Sequence, residues 1–131
     1  MTTTMVKAIL RLTIAPTFGI GPGEKTRIDI LEGSGDDYLL NLTEWNGYGE
    51  KTTTKKPIPT VKAEELIGTL TASVVPTLPL GSDVCDGSII TLELNYWGVR
   101  SMLSWNAVSP DGWDVLADVA DQLCSLAGLE E

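Results

Sequence analysis

Apolar residues recur at every second position over residues 6–15. Val6, Ala8, Leu10, Leu12 and Ile14 fall on one face, with Lys7, Ile9, Arg11 and Thr13 on the other. A period of two with one apolar face predicts a half-buried strand. After Gly19, Gly21 and Gly23 the alternation resumes over residues 24–31, where Thr26, Ile28 and Ile30 oppose Lys25, Arg27 and Asp29. A turn at Gly33, Ser34, Gly35, Asp36 and Asp37 leads into a third strand, residues 38–45. Asn46-Gly47 between Trp45 and Tyr48 predicts a two-residue type I′ hairpin loop, because both central positions need positive φ. The returning strand, residues 48–56, is nearly all Thr, Lys and Glu, which predicts a solvated edge guarded by lysines.

The period then changes. Ala63, Leu66, Ile67 and Leu70 follow the i, i+3, i+4, i+7 pattern of a helix, with Thr60 placed to cap it. After a loop rich in Pro, Leu and Asp come two more strands, residues 88–96 and 99–106, joined at Trp97-Gly98. A second helix is expected with Ser109 as cap, Pro110 as first helical residue and Gly128 as stop. Its expected buried stripe is Trp113, Leu116, Ala117, Ala120, Leu123, Cys124 and Ala127. Trp105 and Trp113 are expected to pack together. The order ββββ-α-ββ-α offers no short crossovers for parallel strands. It predicts a single α+β domain, residues 1–131, with a mainly antiparallel sheet of about six strands and both helices on one face.

Composition narrows the chemistry. The chain has no histidine, which removes the commonest general base and metal ligand and every Ser-His or Cys-His nucleophile pair. Cys85 and Cys124, far apart in sequence and without a framework, are expected to be thiols. No apolar run reaches the roughly 18 residues that cross a bilayer. The first residues, Met1-Thr2-Thr3-Thr4-Met5, carry no basic region followed by an apolar stretch, so no signal peptide is expected and the cytoplasm is the expected compartment. No cofactor is expected.

Charge points to a partner. Residues 1–56 hold seven basic and seven acidic side chains; residues 57–131 hold Lys62 and Arg100 against eleven carboxylates, which is the whole net charge of −9. Such a chain is expected to repel nucleic acid and anionic membrane and to attract a basic protein. The sharpest candidate contact is Asp111, Asp114, Asp118 and Asp121. Spacings of three, four and three bring these carboxylates to one side of the last helix. Four aromatic residues at hairpin ends, Trp45, Tyr48, Tyr96 and Trp97, are candidate anchors of the same contact. Weaker signals resolve into ordinary structure. Asp83 and Asp86 lack the alternating ligands of a calcium loop, so no metal is expected. Gly19, Gly21 and Gly23 precede a strand and lack the Lys-Ser/Thr of a phosphate loop. Among the other carboxylates, only Glu44 and Glu93 are candidates for burial, and Glu93 falls on the face away from Ile90, Leu92 and Leu94. No catalytic residue, and no enzyme, is expected.

A small acidic domain without catalytic inventory resembles the immunity proteins that bacteria make against toxins delivered to neighbours. The stretch from Leu103-Ser104-Trp105 through Ser109-Pro110-Asp111-Gly112-Trp113 is similar to segments of small bacterial proteins. The resemblance implies a toxin domain as partner and an inhibitor without activity of its own. Two other classes remain open: a phage-encoded anionic mimic that occupies a nucleic-acid-binding host protein, and a structural subunit of a homo-oligomer. A monomer is favoured, because the polar edge strand opposes sheet-to-sheet association.

Overall fold

The computed structural model describes residues 7–16, 25–32, 38–46, 50–72, 88–96, 99–106 and 112–129. The elements are β1 (Lys7–Pro16), β2 (Lys25–Glu32), β3 (Tyr38–Trp45), β4 (Lys51–Ile58), α1 (Thr60–Thr71), β5 (Ser88–Tyr96), β6 (Val99–Asn106) and α2 (Asp114–Leu126). The six strands form one sheet in the order β4-β3-β2-β1-β5-β6, every neighbouring pair antiparallel. This is the α+β architecture that the alternation and the two helical stripes predict.

Both helices cover one face of the sheet. Leu10, Leu12, Ile28, Ile30, Leu40, Leu42, Leu92 and Trp105 point up from the strands. They meet Ala63 and Leu66 of α1 and Leu116, Val119, Ala120 and Leu123 of α2. Each large side chain so buried contributes roughly 1.5–3 kcal/mol. No described element lies on the other face, here termed the open face.

Register explains the departures from simple alternation. Ala8 pairs with Leu31 and Leu10 with Ile30, so Ile9 is the extra residue of a β-bulge. The bulge puts Ala8 on the face of Leu31, the open face, rather than on the core face expected for it. Ile9 is nonetheless buried. The hairpin after β3 also differs from expectation. A two-residue turn at Asn46-Gly47 would pair Trp45 with Tyr48, yet Trp45 pairs with Lys51. The Asn46 N–H donates to the Glu50 carbonyl (2.9 Å), and the Glu50 N–H donates to Asn46 Oδ1 (3.1 Å). Ile58 accounts for this choice. The observed register puts it beside Tyr38 on the core face, whereas a shift by an odd number of residues would turn it to the open face. As expected, β4 is a solvated edge, with residues 51–57 all exposed.

Helix starts follow backbone constraints more than cap chemistry. Thr60, the expected cap of α1, is its first helical residue; Pro59 holds the cap position and its carbonyl accepts from the Lys62 and Ala63 N–H groups. In α2 the expected start at Ser109-Pro110 is overridden. Gly112 has φ 89°, which no right-handed helix tolerates, so the helix begins at Asp114 with Trp113 as cap. Ser109 and Pro110 themselves lie outside the described residues. The helix stops as expected at Gly128, φ 83°. The Gly128 N–H donates to the Ser125 carbonyl and the Leu129 N–H to that of Cys124, the paired bonds of a Schellman ending. The buried stripe is rotated toward Val119: Val119 is fully buried, whereas Ala117, Cys124 and Ala127 are half-buried flanks. Val119 offers more apolar surface to bury than either alanine. Trp105 and Trp113 meet edge to face, 6.1 Å between centroids at 87°, as expected.

Candidate protein-binding surfaces

The outward side of α2 is acidic. Asp114, Asp118 and Asp121 are all exposed. They lie opposite Leu116, Val119, Ala120 and Leu123, because 3.6 residues per turn brings positions three and four apart to one side. Asp114 falls in the first turn, where the helix dipole stabilises a negative charge; the other two receive no such compensation. Asp111 lies outside the described residues, and the described helix begins at Asp114.

The neighbouring helix strengthens the sign. Together the two helices carry Glu64, Glu65, Asp114, Asp118 and Asp121 against Lys62 alone. Lys62 Nζ donates to Gln122 Oε1 at 2.7 Å, and Gln122 Nε2 donates to Asp118 Oδ2 at 3.0 Å. A neutral amide therefore stands between the lysine and the row. The ion pair Lys62 does make is with Glu65, at 3.5 Å. Among the described residues, Asp114, Asp118 and Asp121 take part in no ion pair.

The open face has the opposite character. The register aligns Arg11, Lys25, Arg27, Lys51, Lys55 and Arg100 on it, with Asp29 and Glu93 as the acids among them. Among the described residues, the open face thus carries more bases than acids. Asp29 is only 2% exposed although it sits on the open face. Arg11 Nε donates to its Oδ1 at 2.6 Å, and Arg27 Nε lies 3.3 Å from its Oδ2, off the direction of a hydrogen bond. Asp29 is the buried carboxylate that sequence reasoning missed. Alternation places it on the open face, but only the register shows that two arginines cover it. Glu44, considered for burial, is exposed. Glu93 lies on the expected face yet is held down, its side chain 17% exposed and 3.2 Å from Arg100. A shallow cavity of about 260 Å³ opens beside the bulge, lined by Ala8, Ile9, Arg11, Glu93, Asn95 and Arg100.

Of the candidate aromatic anchors, Trp45 does not join the acidic row. Trp45 is half-buried on the open face, on the far side of the sheet from the helices. Lys25 Nζ lies 4.6 Å and Arg27 Cζ 5.1 Å from its ring centroid, so the ring holds cations of its own chain. Tyr96 pairs through its backbone with Val99, at the end of the sheet away from Trp45. Tyr48 and Trp97 lie outside the described residues, as do Cys85, Asp83 and Asp86. The sheet thus separates Trp45 from Asp114, Asp118 and Asp121.

Among the described residues no cluster of three or more His, Cys, Asp or Glu is placed to hold a metal ion. No described helix is long and apolar enough to cross a membrane. No family model matches the chain, and no curated protein matches it.

Proposed function

We propose that this chain is an inhibitor of the immunity-protein kind, which occludes a basic surface of a protein partner with the outward side of α2. The observation that carries the reading is the row Asp114, Asp118 and Asp121, exposed and without ion pairs on a helix that has no basic residue. A short aspartate on a docked helix is a rigid anion, suited to steering a cationic partner into register. The basic open face does not cancel this field. A helix about 10 Å across separates the row from the sheet, and the sheet adds its own thickness, against a Debye length of about 8 Å at physiological salt. A basic partner is therefore guided to the helical side and turned away from the sheet. In this reading the protein works in the cytoplasm, without cofactor or turnover, and its partner is a toxin domain. Among the described residues the charge is segregated by face, which counts against an anionic mimic of nucleic acid, since that needs carboxylates spread along an extended surface.

The test is capture of the partner followed by kinetics. With a partner isolated on the immobilised protein, the variant carrying Asp114→Asn, Asp118→Asn and Asp121→Asn should fold normally. It should associate about tenfold or more slowly at low salt, with the difference shrinking as salt rises. Association rates equal to those of the parent at low salt would reject the contact. Failure of the chain to protect cells that co-produce the captured partner would reject inhibition.

A further inference from the structure

The two edges of the sheet are built differently, and the geometry points to a second copy of this chain as the occupant of one of them. On one edge, β4 carries Lys51, Lys55, Lys56 and Pro57, all exposed, so a strand adding there would meet charge and a missing N–H. On the other edge, β6 is eight residues long, contains no lysine or proline, and bears Arg100 as its one charge. Among the described residues nothing pairs with its outer side. Such an edge is a ready template for strand addition.

We propose that β6 pairs antiparallel with β6 of a second copy, about a two-fold axis normal to the sheet near Met102. Residues opposed across such an axis must share a face, which the period of two satisfies when their numbers sum to an even value. With the axis at Met102, Met102 meets its own copy, Arg100 lies against Ser104, and Ser101 lies against Leu103. No like charges are opposed. Met102 is 60% exposed in the middle of the strand, one of few large apolar side chains left so open among the described residues, and the pairing buries it against a flexible, polarisable equivalent. The edge is also held firm: Trp105, in β6, is buried against Trp113. The closed two-fold arrangement consumes both β6 edges and leaves the lysine-guarded β4 edges at the ends of a twelve-stranded sheet, so association stops at two. Pairing of one strand buries less than the roughly 1,600 Å² of a standard interface, so the dimer is weak, with Kd on the order of 10–100 µM. It does not rest on the inhibitor reading, because the acidic row lies on the outward side of α2 and stays accessible in the pair.

The experiment is light scattering and sedimentation of the purified chain from about 1 µM to about 1 mM, a range that brackets the expected Kd. A monomer–dimer equilibrium is expected. Met102→Lys should abolish it without changing the far-ultraviolet circular dichroism, whereas Thr54→Lys on the β4 edge should leave it intact. With Cys85 and Cys124 replaced by serine, Met102→Cys should cross-link into covalent dimers on oxidation, and Thr54→Cys should not. A monomer at every concentration overturns the proposal. So does a dimer that Met102→Lys leaves unaltered, or one in which the Met102→Cys copies fail to cross-link. A dimer abolished by Met102→Lys while partner binding persists separates this pairing from the inhibitory contact.

Discussion

Removing the Trp113 ring tests the packing that holds α2, and with it the acidic row, on the sheet. Trp113 is 5% exposed and meets Trp105 edge to face with 6.1 Å between centroids. Its carbonyl caps the helix by accepting from the Leu116 and Ala117 N–H groups, a role alanine retains because it belongs to the backbone. Truncation therefore isolates the ring. Deleting a buried aromatic costs about 3–5 kcal/mol through lost transfer energy and the cavity left behind. The edge-to-face pair accounts for about 0.5–1.5 kcal/mol, beyond what area burial alone supplies. Against a total stability of about 5–15 kcal/mol for a domain, this is a large share. At a urea slope near 1.5 kcal/mol/M, the midpoint should fall by roughly 2–3 M. Urea melts followed by circular dichroism suit the measurement, since fluorescence would lose a reporter along with the ring. The double variant Trp105→Ala/Trp113→Ala should cost less than the sum of the singles, by about the pair energy. A loss below about 1 kcal/mol for Trp113→Ala, with the slope unchanged, would mean that the ring does not anchor the helix, and the description of α2 would fall with it.

Further outcomes follow from the same geometry. Asp29→Ala should cost about 2–3 kcal/mol, because Arg11 and Arg27 lose the carboxylate they share while remaining partly solvated; equilibrium unfolding would show it, and a neutral result would contradict the buried pairing. Gly128→Ala should cost about 1 kcal/mol, entirely from the backbone, since an added Cβ meets no atom within 4 Å while φ is +83°. Thermal melts that match the parent would refute the left-handed ending. Neutralising Asp118 and Asp121 should leave stability the same or raise it by a few tenths of a kcal/mol, because like charges near each other along the helix repel; a marked loss would show that the row holds the fold rather than a partner.

Much of this architecture is readable from local pattern because burial on one face dictates period. Leu10, Leu12, Ile28, Ile30, Leu40 and Leu42 announce a sheet with one covered face, and all six are buried there. What local pattern lacks is register. The extra residue at Ile9, the shifted β3–β4 hairpin and the covering of Asp29 all depend on which residues stand opposite, and Arg11 and Asp29 are 18 positions apart. Cap signals failed in α2 for a different reason: Ser109-Pro110 is good start chemistry, but the left-handed Gly112 stands between it and the helix. The acidic row was legible as helical spacing for Asp114, Asp118 and Asp121. Its separation from Trp45 was not, since only the pleat decides that Trp45 shares a face with Arg27 and not with the helices.

The sorting of charge by face has a practical consequence at the bench. Overall −9 would lead a chemist to load this protein on an anion exchanger and expect it to flow freely past a sulfonate resin. Among the described residues, exposed carboxylates gather on the helices and most arginines and lysines on the open face, and a rigid body so divided obeys its poles, not its average. It should adhere to both resins at low ionic strength, helices down on one and sheet down on the other, and elute from each according to the pole that touches it.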